Sequence, residues 1–200
     1  MIKLDLHVHT LYSGDAEISP KQIVEQINAH PFIKGVAITD HDTLEGYFQA
    51  RKLATSYKDI AIVPGIEVTT KQGHLIILGI EEEPKRPITA GETVDFAHQK
   101  GGIIIIPHPY REMGLGDLAE TLPADAIEVL NPTVSLEKNK MASTLAKVRN
   151  LPGVAGSDAH RIQELWMAYT EVDAQTSVDD ILKAIRRGLL KVVSSRYYGV

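Results

Sequence analysis

The chain has 200 residues, of which 44% are apolar and 24% charged, a composition typical of one globular domain spanning residues 1–200. Its net charge of −5 excludes the broad basic surface that wraps duplex nucleic acid, but it leaves room for a small phosphorylated ligand. The absence of cysteine excludes disulfides and thiolate-bound metals.

Short apolar runs alternate with longer amphipathic stretches along the chain. The runs rich in Ile and Val predict buried strands at Ile2–His7, Gly35–Thr39, Ile60–Ile66, His74–Leu78, Ile103–Pro107, Ala126–Leu130, Gly153–Gly156 and Leu190–Val193. The amphipathic stretches predict helices at Pro20–Ala29, Thr43–Tyr57, Thr89–Lys100, Ser135–Arg149 and Ser177–Arg187. This alternation predicts a parallel α/β fold. A full eightfold barrel needs roughly 250 residues, so we expect a reduced or distorted barrel.

No signal-peptide pattern is visible, and apolar runs such as Ile103–Ile106 are too short to cross a bilayer. We therefore expect a cytoplasmic protein without a membrane partner. The sequence gives no indication of the oligomeric state.

Two His-rich pairs stand at the ends of predicted strands. Residues i and i+2 of a strand point to the same face, so His7 and His9 can converge on one metal ion. Asp158 and His160 repeat this spacing. A single pair of this kind is equally typical of an exposed strand end, but two pairs in one chain favour a metal site.

Two further predicted strands are followed by a residue of a type that binds metals. Glu67 follows the apolar run Ile60–Ile66, where a carboxylate is costly unless it is paired or coordinated. Its alternative is a surface salt bridge. His108 lies between two prolines that fix the backbone, although the segment is also a plausible strand terminator. Arg111 follows closely and is a candidate for binding a phosphate oxygen, or else an ordinary surface arginine.

The remaining candidates lie in or beside loops. His41 follows a predicted strand, with Asp40 either orienting it or joining the coordination. We expect Asp42 or Thr43 to cap the next helix. His74 is either a ligand or a hydrogen-bonded core histidine, and Asp15 is either a ligand or a turn residue.

Two histidines are assigned to structure instead. His30 precedes Pro31 at the end of a predicted helix, and His98 lies within another helix. We exclude both from the site.

The order of these motifs resembles the polymerase and histidinol phosphatase family, the PHP domain. The matching segments are Asp5-Leu6-His7-Val8-His9-Thr10, Thr39-Asp40-His41-Asp42-Thr43, Pro64-Gly65-Ile66-Glu67, Pro107-His108-Pro109 and Gly156-Ser157-Asp158-Ala159-His160. The resemblance runs from residue 4 to residue 160. It implies a distorted seven-stranded (β/α) barrel with up to three metals at its mouth.

The resemblance also implies the ligands, which would be divalent zinc, manganese or iron. It assigns the first metal to His7, His9, Glu67 and Asp158, the second to Glu67, His74 and His108, and the third to Asp15, His41 and His160. A histidine often stands in the family where this chain has Asp15.

These assignments predict hydrolysis of a small phosphate monoester or nucleotide by metal-activated water at a site of two or three metals. Glu67 would bridge metals, Arg111 would neutralise phosphoryl charge, and His41, His160 or Asp40 would protonate the leaving group. Alternatives are an exonuclease acting on short nucleic acid, a non-catalytic metal-binding accessory protein and, more remotely, hydrolysis of a C–N bond.

Overall fold

The computed structural model describes residues 1–195 as nine strands and five α-helices. The strands are β1 (Ile2–Val8), β2 (Ile33–Ile38), β3 (Ala61–Thr69), β4 (His74–Leu78), β5 (Ile103–Ile106), β6 (Ala126–Leu130), β7 (Gly153–Ala155), β8 (Ala168–Val172) and β9 (Leu190–Ser194). The helices are α1 (Pro20–Ala29), α2 (Glu45–Ala54), α3 (Ala90–Gln99), α4 (Leu136–Val148) and α5 (Val178–Arg186).

All nine strands form one sheet in the order β7-β6-β5-β4-β3-β2-β1-β8-β9. Strands β1, β2 and β3 are parallel to one another, and so are β5, β6 and β7. Strand β4 is antiparallel to both of its neighbours, β3 and β5. The two parallel groups therefore run in the same direction, and β4 runs opposite to them. Strand β8 is antiparallel to β1, and β9 is antiparallel to β8.

The chain beyond β7 returns to β1 and nearly closes the barrel. Val8 forms a parallel bridge with Ala159. The main-chain N–H of His9 donates to the oxygen of Ala159 at 3.0 Å, and that of Asp158 donates to the oxygen of His7 at 2.8 Å. The predicted α/β fold with a distorted barrel is therefore confirmed, although the sheet carries two strands beyond the seven.

Two apolar layers hold the barrel together. The interior includes Leu4, Leu6 and Val63, and α5 packs into this interior cluster through Ile181 and Ile185. An outer layer packs α1 to α4 against the other face of the strands. Among residues 1–195, no helix is both long and apolar enough to cross a membrane.

Most predicted elements are found within three residues of their expected ends, and Ser19 and Thr89 cap α1 and α3 as expected. The predicted cap of α2 is wrong in position, although Thr43 Oγ1 accepts the N–H of Glu45, the first residue of the helix, at 3.2 Å. The N-cap is Leu44, whose N–H donates to the Glu83 carboxylate at 2.7 Å. Asp42 instead accepts the N–H of Thr69 at 2.7 Å. Strand β8 was not predicted.

Candidate metal centre

The barrel brings the predicted ligands to one mouth, at the carboxyl ends of the parallel strands. His7, His9, His41, Glu67 and His108 lie at or just beyond the ends of β1, β2, β3 and β5. Strand β4 runs in the opposite direction, so its first residue, His74, lies at the same mouth. The segment after β7 adds Asp158 and His160.

A register irregularity in β1 aims its two histidines. Leu4 and Leu6 belong to the interior cluster, whereas Val8 belongs to the outer one. The phase of the side chains therefore changes between Asp5 and Val8, where the pairing with β2 shifts. As a result, the rings of His7 and His9 both face the mouth, with their centroids 5.1 Å apart.

Four donor atoms lie close together at the centre of the cluster. His7 Nε2 lies 3.1 Å from His9 Nε2, 3.2 Å from Glu67 Oε2 and 3.4 Å from Asp158 Oδ1. His9 Nε2 lies 3.2 Å from the same Glu67 oxygen and 3.3 Å from the same Asp158 oxygen. Around a tetrahedral zinc with bonds of about 2.0–2.1 Å, neighbouring ligand atoms are about 3.3–3.4 Å apart. The five distances among these atoms therefore suit ligands of a shared cation.

Glu67 reaches a second set of imidazoles with its other oxygen. Its Oε1 lies 3.0 Å from His74 Nδ1 and 3.1 Å from His108 Nε2. The same carboxylate therefore faces two candidate sites, as a bridging ligand must.

A third group lies on the more exposed side of the cluster. The Asp15 carboxylate lies 3.5 Å from His41 Nε2 and 3.3 Å from His160 Nε2. The side chains of Asp15, His41 and His160 are 50%, 22% and 24% exposed. His41 also turns its Nδ1 toward Glu67 Oε2, at 3.4 Å, so its two ring nitrogens face different candidate sites.

All nine predicted ligands belong to groups whose donor atoms lie close enough to share a cation. The groups are His7, His9 and Glu67; His7, His108 and Asp158; His41, Glu67 and His74; and His9, Asp15, His41 and His160. They overlap more than the three predicted sets, because His7, His9, His41 and Glu67 each belong to more than one group.

The buried charges of the cluster strongly perturb its acids and bases. Burial alone would raise the pKa of Glu67, but the imidazoles of His7, His108 and His74 outweigh it and hold that pKa well below its usual range. Burial would lower the pKa of His9, but Asp158 and Glu67 raise it to about 9. Burial lowers the pKa of His41 to about 4, and Glu67 only partly offsets this.

The outer nitrogens of the two β1 histidines are already bonded. His7 Nδ1 donates to Glu128 Oε1 at 2.9 Å, and His9 Nδ1 donates to Ser13 Oγ at 2.9 Å. Donating from Nδ1 leaves the lone pair of Nε2 directed into the cluster. His108 Nδ1 is buried without a hydrogen-bond partner. The donor types, their spacing and their orientation all fit a divalent metal.

The sequence missed several residues that support the site. Glu128 contacts His7, Asn131 contacts Asp158, and Ser13 contacts both His9 and the main chain of His41. Glu128 could have been found from the sequence, because it is an acid within the apolar strand Ala126–Leu130, where an unpaired carboxylate is costly. Asn131 and Ser13 gave no such signal.

Asp40 is bonded to the loop that follows β1. Its side chain is fully buried, and its two oxygens accept the N–H and the hydroxyl of Thr10. It therefore fixes the loop after β1, and its part in protonating the leaving group stays a prediction.

Arg111 reaches the rim of the cluster. It donates to Asp158 Oδ2 and to Thr133 Oγ1. His30 and His98 lie elsewhere: the ring of His30 accepts the N–H of Ile33, and that of His98 pairs with Asp125.

A family model for PHP-associated sequences matches residues 137–190. An uncharacterised protein of Methanocaldococcus jannaschii is 34% identical over 142 residues, which cover 65% of this chain and 82% of that protein.

Two solved structures share the fold. One is a two-domain protein of Bacteroides vulgatus containing a predicted PHP-like metal-dependent phosphoesterase, with a TM-score of 0.80 and 18% identity. The match covers 96% of this chain and 64% of that protein. The other is an amidohydrolase of Chromobacterium violaceum with bound sulfate and no metal, with a TM-score of 0.67, 19% identity and coverage of 80% and 88%. With its ordered ligand motifs and nearly closed barrel, the chain belongs to the PHP domain family.

Proposed function

We propose that this protein is a metal-dependent phosphoesterase that hydrolyses a small phosphate monoester or nucleotide. The observation that carries the proposal is the position of two imidazoles beside two carboxylates: the Nε2 atoms of His7 and His9 lie 3.1 Å apart, and each lies 3.2–3.4 Å from an oxygen of Glu67 and an oxygen of Asp158. Zinc, manganese or iron would suit these nitrogen and oxygen ligands. Two or three such ions, when bound, would supply Lewis-acid activation of water for attack on phosphorus.

The chain's own residues divide this work by position. Glu67 lies at the centre and holds the inner imidazoles in place through both of its oxygens. Its low pKa keeps it charged near neutral pH, as a bridging carboxylate must be. His74 and His108 would complete the second set of ligands.

The exposed side of the cluster suits the substrate. Arg111, whose side chain is 40% exposed, would neutralise charge on the phosphoryl oxygens by moving one hydrogen bond from Asp158 to the substrate. Asp15, His41 and His160 line the same side. Because burial lowers the pKa of His41 to about 4, that ring is neutral near pH 7, and the proton for the leaving alkoxide would come from His160 or Asp40.

The proposal is tested with metal-reconstituted protein and a generic aryl phosphate. Replacing Glu67 or Asp158 with Ala is expected to abolish turnover, because each removal leaves several imidazoles without their shared carboxylate. Glu171→Ala is the control, since Glu171 pairs with Lys3 on β1 away from the cluster. Thermal melts should show that the variants fold. Full activity in Glu67→Ala or Asp158→Ala would refute the proposal.

The same assay separates the alternatives. Faster cleavage of end-labelled oligonucleotides than of mononucleotides would favour an exonuclease. Stoichiometric metal without turnover over a broad phosphoester panel would favour an accessory protein. Hydrolysis of amides instead of phosphoesters would favour the C–N chemistry of an amidohydrolase.

A further inference from the structure

Glu128 is a buried carboxylate surrounded by hydrogen-bond donors at the floor of the metal centre. It lies on β6 and is 2% exposed. Its Oε1 accepts from His7 Nδ1 at 2.9 Å. Its Oε2 accepts from the main-chain N–H of His108 and from Asn131 Nδ2, each at 2.9 Å. All three neighbours donate, so the site requires an acceptor at both ends of the side chain.

The bond to His7 selects one tautomer of that ring. With the Nδ1 proton directed at Glu128, the Nε2 lone pair must face His9, Glu67 and Asp158. A carboxylate partner also makes the imidazole a stronger donor toward a cation.

The bond to His108 holds an uncommon backbone conformation. His108 has a φ of 26°, which non-glycine residues rarely adopt, and its N–H points at Glu128. One side chain therefore contacts a candidate ligand of the first site and a candidate ligand of the second.

Asn131 extends the same network to Asp158. Its Nδ2 lies 2.9 Å from Glu128 Oε2 and 3.2 Å from Asp158 Oδ2. Arg111 donates to that same Asp158 oxygen, and Thr133 Oγ1 lies 3.1 Å from it. With Oδ2 saturated by donors, Oδ1 is left to face His7 and His9.

We propose that Glu128 and Asn131 are positioning residues that set the affinity of the first and second metal sites. Glu128 fixes the His7 tautomer and the His108 main chain, and Asn131 fixes the oxygen that Asp158 presents. The inference rests on the metal binding in the proposed function. A buried acid on the otherwise apolar β6 is costly unless it is paired, so Glu128 serves the ligands that it contacts.

Glu128→Gln provides the test, because it changes the chemistry without changing the size. A carboxamide has one accepting and one donating end, so its NH₂ must face either the His7 Nδ1–H or the pair formed by the His108 N–H and Asn131. We expect zinc affinity, measured by competition with a chromophoric chelator, to fall about 10- to 100-fold. Glu171→Gln is the matched control and should bind zinc like the wild type.

Two further measurements distinguish positioning from general stability. The ¹⁵N shifts of His7 in the metal-free protein, recorded at a pH above the raised pKa of His7 so that the ring is neutral, should show an Nδ1-protonated ring in the wild type and a mixture of tautomers in Glu128→Gln. Asn131→Ala should also weaken zinc binding, and combining the two changes should cost less than the sum of the single changes, since both act through one network.

The outcomes separate this inference from the proposed function. Zinc bound by the wild type and equally well by a folded Glu128→Gln and Asn131→Ala would overturn the inference alone. A wild-type chain that binds none of zinc, manganese or iron would overturn both.

Discussion

Gly46 allows a test of how the loop after β1 is anchored. It is the second residue of α2, where an alanine would ordinarily stabilise the helix by up to about 1 kcal/mol. Here an added Cβ would lie 1.9 Å from Asp40 Oδ2 and 2.5 Å from Thr10 Oγ1. We therefore expect Gly46→Ala to destabilise the protein, with the opposite sign to the helix preference.

The magnitude follows from the bonds that must move. The Asp40 carboxylate is buried and accepts two hydrogen bonds from Thr10, and bonds to a charged group contribute about 1.5–3 kcal/mol each. Losing both and gaining the helix preference gives a net loss of about 2–5 kcal/mol.

The assay is urea unfolding followed by circular dichroism. A loss of this size should lower the midpoint by roughly 1–2 M. Gly91→Ala is the matched control: Gly91 is the second residue of α3, and nothing lies within 4 Å of an added Cβ there. A Gly46→Ala protein as stable as the wild type would show that Asp40 and Thr10 do not anchor this loop.

Two further predictions concern metal binding. Ser13→Ala should weaken metal binding several-fold, because Ser13 Oγ accepts both from His9 Nδ1 and from the main-chain N–H of His41. Ser13→Thr keeps the hydroxyl and should restore the affinity. Competition with a chelator measures the affinity of both variants. Metal binding at pH 7 should release at least one proton. Burial lowers the pKa of His7 and of His9, but the surrounding carboxylates raise both by more, to about 9 for His9. A metal binds only the neutral ring, so the extra proton must leave. Apparent affinity should therefore rise with pH up to about 9, and calorimetry in buffers of different ionisation enthalpy should detect the proton; equal heats in all buffers would contradict it.

The strands that the sequence predicted are those whose environment is uniform. Strand β5, Ile103–Ile106, is buried on both faces, and a run of four isoleucines indicates that directly. Strand β8 has no such run, since Tyr169, Thr170 and Glu171 lie at its centre. Thr170 is fully buried, and its hydroxyl bonds the main chain of Ala155 on β7, which satisfies the buried group; composition does not reveal this contact.

In the metal centre too, local sequence patterns reveal some features, and others depend on contacts between distant parts of the chain. Ligand types at strand ends could be found from the sequence, because parallel strands bring their carboxyl ends to one mouth. The place of His74 depended on β4 running in reverse, which no local pattern indicates. The roles of Asp40 and Glu128 depended on Thr10, His7 and other partners far away in the chain.

The backbone at two candidate ligands shows that side-chain chemistry outweighed conformational preference here. His108 and Asp158 have φ values of 26° and 53°, where glycine is the least strained residue. Each strained residue costs about 1 kcal/mol or more, but glycine offers no metal ligand. Both main-chain N–H groups are bonded inside the centre, that of His108 to Glu128 and that of Asp158 to the oxygen of His7. The hydrogen bonds that hold these two ligands therefore come from the protein itself, and they offset the cost of the strained backbone.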